Sequence, residues 1–219
     1  MEILVATLVY TRRDVDVMTQ IRSIAETLRN APGLVTSRVY HGRGQETCYF
    51  LLTTWADEES WQSAQERHNP QALLLALADL LVAPPEQWIM YYLWGYTRPT
   101  APPVLAAVHI MTIRSDQIEG AQRGWIMALK QQAAHPTLAF AFLARDISTA
   151  EAIDPQRTDK LRNGDLEGKH PRGGNSLLSL FSWAREAERE EFYTDPHYRA
   201  IKRFVESVGV VRTLPLEPL

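Results

Sequence analysis

The chain has 219 residues, of which 45% are hydrophobic, and a formal net charge of −3 at pH 7. This length allows one large domain or two of ordinary size, each with enough apolar side chains for a core. The charge provides no basic surface of the kind that nucleic-acid-binding proteins carry. We find no signal-peptide pattern at the N-terminus and no apolar run near the roughly 20 residues that span a bilayer. Since the single cysteine, Cys48, lies in an apolar run, we expect a cytoplasmic protein with a reduced thiol.

The first half predicts the element order βαββαβ. Residues 3–10 are apolar and rich in branched side chains, which is typical of a buried strand. A helix is predicted next, from apolar positions at helical spacing, and it ends at Pro32-Gly33. Two strands are predicted at residues 34–41 and 48–56, and helical segments follow from residue 57 to residue 82.

The stretch from Glu86 to Thr97 predicts a long strand that is covered on both faces. Large apolar residues alternate along it, with Trp88, Met90, Tyr92 and Trp94 predicted on one side. The proline-rich residues 98–103 follow and predict a stiff linker.

The second half repeats the first. Val17 corresponds to Ile118 at an offset of 101 residues, and the third strands end in Trp55 and Trp183, each followed by alanine. Most of the extra length of the second half is a polar, glycine-containing insertion around residues 146–175, which is either a lid or disordered. A final short strand is predicted at residues 210–214.

We therefore predict an α+β fold of two ferredoxin-like βαββαβ units, packed sheet to sheet as an internal pseudo-dimer, an α+β barrel. The first repeat is placed at residues 1–97, the linker at 98–103 and the second repeat at 104–219. Such a chain is a monomeric pseudo-dimer, or it forms homo-oligomers through its outer strands.

Residues 183–201 carry a family resemblance. Trp183 ends the third strand, an acidic helix follows, and Asp195-Pro196-His197-Tyr198 introduces the next helix. This run resembles the antibiotic-biosynthesis monooxygenase family of the dimeric α+β barrel superfamily, and residues 55–82 form a weaker copy. The resemblance extends over nearly the whole chain twice, apart from the insertion. It implies the fold predicted above. It leaves the activity open, because members include cofactor-free oxygenases, quinol oxidases, haem-degrading enzymes and proteins without known activity.

The resemblance also indicates which repeat holds a site. Many members place an asparagine on the first strand, facing the helices, and a histidine or tryptophan nine residues after the third-strand tryptophan. The corresponding residues here are Ala6 and Ala107 for the first position and Ala64 and Phe192 for the second. Because only the second repeat keeps an aromatic residue there, we predict the site in the second repeat and expect the first to lack polar site residues.

His109 is the candidate catalytic residue. It lies two residues from Ala107 and therefore on the same, helix-facing side of the strand, and the offset of 101 pairs it with Leu8. A buried imidazole needs a partner or loses its charge. His109 is thus either a base that accepts a proton from a phenolic substrate or a core histidine bonded to a backbone carbonyl.

Four further residues are candidates for substrate binding. Trp125 and Phe192 would form the aromatic walls of a pocket, and His197 and Tyr198 would lie at its mouth. Alternatively, Trp125 only fills the core, Tyr198 packs and His197 is exposed. No metal-ligand spacing, phosphate loop or nucleophile elbow is present in the sequence, so we predict neither a metal nor another cofactor.

The leading functional hypothesis is a cofactor-independent monooxygenase-like protein that acts on an aromatic or phenolic small molecule. The alternative is a non-catalytic binding or regulatory module that holds a small hydrophobic ligand. Haem binding or degradation is a third possibility. The expected partner is a small aromatic or hydrophobic molecule, with no nucleic acid and no membrane.

Overall fold

The structure is a computed structural model, and it describes residues 2–13, 15–44, 47–98, 102–133, 138–147 and 175–219. In the first repeat the strands are β1 (Ile3–Tyr10), β2 (Leu34–Gly42), β3 (Cys48–Trp55) and β4 (Glu86–Thr97), and the helices are α1 (Met18–Arg29), α2 (Glu58–Ala64) and α3 (Pro70–Leu75). In the second repeat the strands are β5 (Leu105–Ile113), β6 (Phe140–Asp146), β7 (Ser176–Trp183) and β8 (Gly209–Pro218), and the helices are α4 (Ile118–Ala133), α5 (Glu186–Thr194) and α6 (Pro196–Val208). Both repeats therefore follow the predicted order.

The eight strands close into one barrel in the order β1-β3-β2-β8-β5-β7-β6-β4. The last strand of each repeat closes the barrel. Strand β4 pairs with β1 of its own repeat and with β6 of the other, and β8 pairs with β5 and with β2 in the same way. The prediction of a ferredoxin-like α+β barrel is confirmed. The boundary predicted at residues 98–103 stays a prediction, and residues 99–101 lie outside the described ranges.

Both faces of the barrel are buried, but against different partners. The interior is filled by aliphatic and aromatic side chains from both repeats, such as Leu4, Phe50, Val108 and Leu180. The outer face of the second repeat packs on α4, α5 and α6, and that of the first repeat packs on α1, α2 and α3. Each strand therefore contributes alternate side chains to a shared interior and to a repeat-specific outer core.

The strand register corrects the predicted offset of 101 between β1 and β5. Ile3 lies opposite Trp55, and Leu105 lies opposite Trp183, so the equivalent residues are 102 positions apart. Because side chains alternate between faces, a shift of one residue exchanges the two sides. The counterpart of His109 is therefore Thr7 and not Leu8.

With the corrected offset, Ala6 and Ala107, the two positions predicted to match the family's asparagine, are not equivalent to each other. Ala107 packs in the outer core of the second repeat, whereas Ala6 and Leu8 lie in the barrel interior. The prediction of a helix-facing position is thus right for Ala107 and wrong for Ala6.

Two strands differ from their predicted form. Strand β4 has a register irregularity between Tyr92 and Trp94. Trp88, Met90 and Tyr92 pack on the interior, while Trp94 packs on the outer core of the second repeat. A bulge of this kind changes the face that the following side chains occupy, so the prediction of Trp94 on the same side was wrong. Strand β8 extends to Pro218, because its proline-containing end still pairs with β2.

The predicted insertion at 146–175 falls almost entirely outside the described residues, since β6 ends at Asp146 and β7 begins at Ser176. The choice between a lid and a disordered loop therefore also lies outside them.

An ion pair links the closing strands of the two repeats. Glu86 lies opposite Leu8, and Arg212 lies opposite Ile110, the residue equivalent to Leu8. Glu86 and Arg212 are therefore equivalent to each other, and they pair through two hydrogen bonds of 2.8 and 2.9 Å. The Arg212 guanidinium also lies 5.7 Å from the Trp88 ring centroid. In a dimer of identical chains, equivalent positions carry the same charge, whereas this fused chain places opposite charges there.

Exchanging these two charges tests the pairing. We expect Glu86→Arg and Arg212→Glu each to lower the free energy of unfolding by roughly 1–2 kcal/mol, between the ranges for exposed and buried pairs. The double variant should regain most of this loss, because it restores opposite charges. Urea denaturation of the four proteins measures the coupling. Additive losses in the double variant would show that the two residues do not interact.

Candidate functional site

His109 is the centre of an aromatic cluster in the outer core of the second repeat. Its ring centroid lies 5.1 Å from that of Phe181, 5.8 Å from Trp125, 6.0 Å from Tyr198 and 6.5 Å from Tyr193. The His109 side chain is fully buried. The cluster lies between the barrel and its helices, and we call it the aromatic site, with Phe192 and Trp183 included.

Local structure directs these side chains toward one another. Alternation along β5 turns His109 outward together with Ala107, and the small Ala107 lies opposite Phe181 on β7. The Asp195-Pro196 step begins α6, where the Asp195 carboxylate accepts a 2.8 Å hydrogen bond from the Tyr198 backbone N–H. This cap fixes the first turn of α6, from which Tyr198 reaches His109.

A hydrogen bond of 2.8 Å joins His109 Nε2 to Tyr198 Oη. A phenol is the better donor and an imidazole nitrogen the better acceptor, so we assign Tyr198 as the donor. His109 then carries its proton on Nδ1. That atom is buried without a hydrogen-bond partner among the described residues. His109 Nε2 therefore bonds to a tyrosine hydroxyl and not to a backbone carbonyl, which was the alternative predicted from the sequence.

Burial keeps both partners neutral. Burial, together with a smaller contribution from the positive charge of Lys202 on α6, lowers the pKa of His109 to about 3. Burial raises the pKa of Tyr198 well above its usual range, with smaller contributions from Tyr193 and Glu206, and it raises the pKa of Tyr193 to about 12. At neutral pH the aromatic site therefore contains an uncharged imidazole and uncharged phenols.

Two indoles of the aromatic site also lack partners. Trp125 Nε1 and Trp183 Nε1 are buried with no hydrogen-bond partner in the described part of the chain. In the first repeat, Trp55 Nε1 donates to Thr53 Oγ1 at 3.1 Å. Phe181 occupies the position equivalent to Thr53, two residues before the tryptophan, and cannot accept this bond. Each buried donor without a partner costs on the order of 1–3 kcal/mol.

The space beside the cluster is a small apolar crevice. Its empty volume is about 170 Å³, counting the part open to solvent, and it is lined by Trp125, Ala128, Leu129, Phe181, Phe192, Tyr198 and Ile201. It has no room for a water molecule. Helices α4 and α6 cover it and approach closely, since a Cβ atom on Gly124 would lie 2.5 Å from Ile201 Cδ1. A ligand of several atoms would need α6 or its side chains to move.

The structure brings together four of the five predicted site residues: His109, Trp125, Phe192 and Tyr198. His197 is exposed and makes no ring contact with the described residues of the cluster, so it is not at the mouth of this crevice. Sequence reasoning missed Phe181 and Tyr193. The spacing of Phe181, two residues before Trp183 on the same strand face, is a signal that could have identified it.

The first repeat has a polar network in the equivalent place. Gln87 Nε2 donates to Thr7 Oγ1 at 3.1 Å and to Asn69 Oδ1 at 3.0 Å. The expectation that the first repeat lacks polar groups there was wrong. These groups bond to one another, whereas the aromatic site of the second repeat has nitrogen atoms without a partner in the part of the chain that the structure describes.

A family model matches part of the chain. Residues 14–72, which extend from before α1 into α3, match the family model described as antibiotic biosynthesis monooxygenase. Over these residues the first repeat is similar to that family. The resemblance deduced from sequence is confirmed, although the match falls on the repeat with the weaker motif. No curated protein matches the chain significantly.

Solved structures share the fold at low sequence identity. An anthrone oxidase-like protein aligns with a TM-score of 0.73 and 11% identity over 100% of this chain and 91% of its own. A candidate monooxygenase from Fusobacterium nucleatum subsp. nucleatum aligns with a TM-score of 0.71 and 6% identity over 100% and 92%. The heme-degrading enzyme LmHde from Listeria monocytogenes aligns with a TM-score of 0.54 and 8% identity over 99% of both chains. At such identities the likeness establishes the fold alone.

Two further observations concern metals and membranes. Within the described ranges, no three histidine, cysteine, aspartate or glutamate side chains group as metal ligands would. None of the helices in those ranges has both the length and the apolar character needed to cross a lipid bilayer.

The lowered pKa of His109 predicts a pH-dependent stability. In the unfolded chain this imidazole has a pKa near 6.5, so between about pH 6.5 and pH 3 the unfolded state binds more protons than the folded state. The free energy of unfolding should therefore fall as the pH is lowered through this range. We expect His109→Gln, which cannot titrate, to reduce this slope by up to roughly 1.4 kcal/mol per pH unit.

Urea denaturation at pH 4, 5, 6 and 7 measures both slopes, and His68→Gln in the first repeat is the control, since His68 is only partly buried. Equal slopes in the parent protein and His109→Gln would contradict a buried, neutral His109.

Proposed function

We propose that this protein is a cofactor-independent, monooxygenase-like protein that takes a small aromatic molecule into the second repeat. The observation that carries the proposal is the aromatic site itself, in which one buried histidine is surrounded by aromatic rings. The similarity of the first repeat to the monooxygenase family and the fold shared with an anthrone oxidase-like protein support it. Trp125 and Phe192 would contact the faces of the ligand rings.

In such chemistry the substrate supplies the electrons. Anthrone is a suitable test substrate: the carbon opposite its carbonyl group loses two hydrogens, one oxygen atom of O₂ forms the new carbonyl, and the other leaves as water. The protein needs to bind the ring, favour its deprotonated form and exclude bulk water. In the closed state His109 accepts from Tyr198 and is a weak base, because its pKa is about 3. Movement of α6 on ligand entry would hydrate the imidazole and return its pKa toward the usual value.

A non-catalytic binding module is the second candidate. The low pKa of His109 and the closed apolar crevice favour it, since they describe a hydrophobic site without an efficient base. A haem pocket is less well supported. The crevice of about 170 Å³ is far smaller than a porphyrin, and His109 Nε2 is already bonded to Tyr198.

We also propose a cytoplasmic location, which the buried, reduced Cys48 supports. The chain would act as a monomeric pseudo-dimer, because the barrel already closes within one chain.

Anthrone oxidation separates enzyme from binder. We expect the protein to accelerate formation of anthraquinone and consumption of O₂, and His109→Leu to lower the rate by roughly 10²–10⁴-fold if the imidazole is the base. His68→Gln in the first repeat is the matched control and should retain the parent rate. Rates come from chromatography of anthraquinone and an oxygen electrode, without added metal or flavin.

Two other results would change the conclusion. Saturable binding of anthrone without turnover would favour the binding module. Turnover that His109→Leu leaves intact would contradict the assignment of His109 as base.

A further inference from the structure

The seam between β2 and β8 is much shorter than the seam between β4 and β6. Strand β6 pairs with β4 at seven positions, which is its whole length. Strand β2 pairs with β3 from Leu34 onward, but it pairs with β8 at three positions only, from Tyr40 to Gly42. The outer edge of residues 34–38 therefore has no strand partner among the described residues.

Backbone hydrogen bonds show which groups point out from this edge. The Leu219 N–H donates to the Val39 C=O at 3.0 Å, and the Arg43 N–H donates to the Pro215 C=O at 2.9 Å. Because peptide groups of alternate residues in a strand point to the same side, Ser37 directs its N–H and C=O outward as Val39 does. Neither group of Ser37 has a backbone partner in the described part of the chain. Such an edge can accept an added strand.

An open groove lies beside Ser37, between β2, helix α1 and the end of β8. Its empty volume is about 450 Å³, counting the part open to solvent, and it has room for several water molecules. Arg29 from α1 and Arg38 from β2 line it, and its lining contains no acidic side chain. The Arg38 guanidinium lies 4.2 Å from the Phe140 ring centroid and forms no ion pair with a described carboxylate. The groove is therefore positively charged, since Arg29 has only an exposed partner, Glu26 on its own helix.

We infer that this groove is a docking site for an extended acidic peptide segment of another protein, which adds to the edge of β2 as a short antiparallel strand in line with β8. The segment would carry two consecutive acidic residues. The inference concerns a surface that shares no residue with the aromatic site, and it does not depend on the proposed function.

The alternation of faces assigns a role to each acidic residue. Arg38 lies on the same face of β2 as Tyr40, which packs in the barrel interior, whereas Ser37 and Val39 lie on the outer face, toward α1. A peptide residue opposite Arg38 therefore places its carboxylate beside that guanidinium. The next residue forms both backbone hydrogen bonds with Ser37 and places its side chain on the side of Arg29.

Charge and length favour an acidic peptide over a second copy of this chain. Two copies paired edge to edge through β2 would bring their arginines toward one another, and like charges oppose such pairing. The open edge is also short, because Leu219 already bonds to Val39 and the ladder with β3 is irregular between Leu34 and Thr36. Residues 36–38 are left for pairing, which suits a short linear segment.

Synthetic peptides test the inference. The probe is acetyl-Glu-Glu-Val-Thr-Val with fluorescein at its C-terminal end, and its matched control has Gln-Gln in place of Glu-Glu. At low ionic strength we expect fluorescence anisotropy to give at least about fivefold tighter binding for the Glu-Glu peptide. Arg38→Gln should reduce this ratio to about twofold or less. Arg22→Gln, an exposed arginine of α1 outside the groove, should leave the ratio unchanged.

Two changes to the backbone test the strand pairing itself. Methylation of the backbone nitrogen of the second Glu residue removes the N–H that donates to the Ser37 C=O, and it should weaken binding by about tenfold or more. Ser37→Pro removes the outward N–H of β2 and should weaken binding similarly. Because proline is tolerated where an edge strand makes no outward bond, this variant should keep a melting temperature close to that of the parent.

Ala141→Pro is the matched control for stability. Ala141 lies opposite Phe181 as Ser37 lies opposite Thr53, so the two positions are equivalent, but Ala141 is paired with Tyr96 on β4. The variant should therefore lower the melting temperature clearly. An equal loss of thermal stability in both proline variants would show that the edge of β2 is occupied within the chain, and it would overturn the inference.

The other outcomes also overturn the inference. Equal binding of the Glu-Glu and Gln-Gln peptides would show that the arginines do not select acidic segments. Binding that survives methylation of the backbone nitrogen would favour a site for small anions without strand pairing. A dimer in analytical ultracentrifugation that Ser37→Pro dissociates would assign the edge to a second copy. No binding of the Glu-Glu peptide up to about 1 mM would exclude docking. None of these results bears on anthrone oxidation, so the two proposals fail independently.

Discussion

Closure of the barrel by β4 and β8 is the constraint on which the rest of the structure depends. Strands β4 and β8 each pair with both repeats, so the edge strands of each four-stranded sheet are paired with the other sheet. Closure buries the inner face of every strand in one common core and leaves the outer faces to the helices. The Glu86–Arg212 pair shows a consequence of joining both repeats in one chain. Equivalent positions carry opposite charges, which two identical chains could not provide.

The two repeats differ most in their outer cores. Because the common interior belongs to both repeats, a substitution there affects the whole barrel, whereas each outer core can change alone. The first repeat fills its outer core with aliphatic side chains and a closed polar network around Thr7. The second fills the same place with aromatic rings around His109, and three nitrogen atoms there have no partner among the described residues. The two outer cores thus differ in shape and in polarity at equivalent positions.

The sequence predicted the elements and the barrel, because periodicity and the repeat report directly on which faces are buried. The predicted residues His109, Trp125, Phe192 and Tyr198 lie together in the structure, and their role in a site stays a prediction. The sequence analysis was wrong where a shift of one residue changes the face that a strand residue occupies. An offset that fits the helices is one residue too short for the strands, so it paired His109 with Leu8 in place of Thr7. The bulge in β4 likewise moved Trp94 to the other face. The hydrogen-bond partners of the buried polar groups could not be predicted from the sequence. They depend on which side chain lies two residues away or on the neighbouring strand.

The central claim is that the second repeat, and not the first, binds a small aromatic molecule. Nitrogen-15 NMR of the six tryptophan indole N–H groups measures this directly during titration with anthrone. We expect a saturable change in the Trp125 N–H signal, because its ring lines the crevice, while the Trp55 signal stays unchanged because Trp55 lies in the outer core of the first repeat. A shift confined to Trp55 and Trp61, or a Trp125 signal that stays fixed at saturation, would contradict the claim.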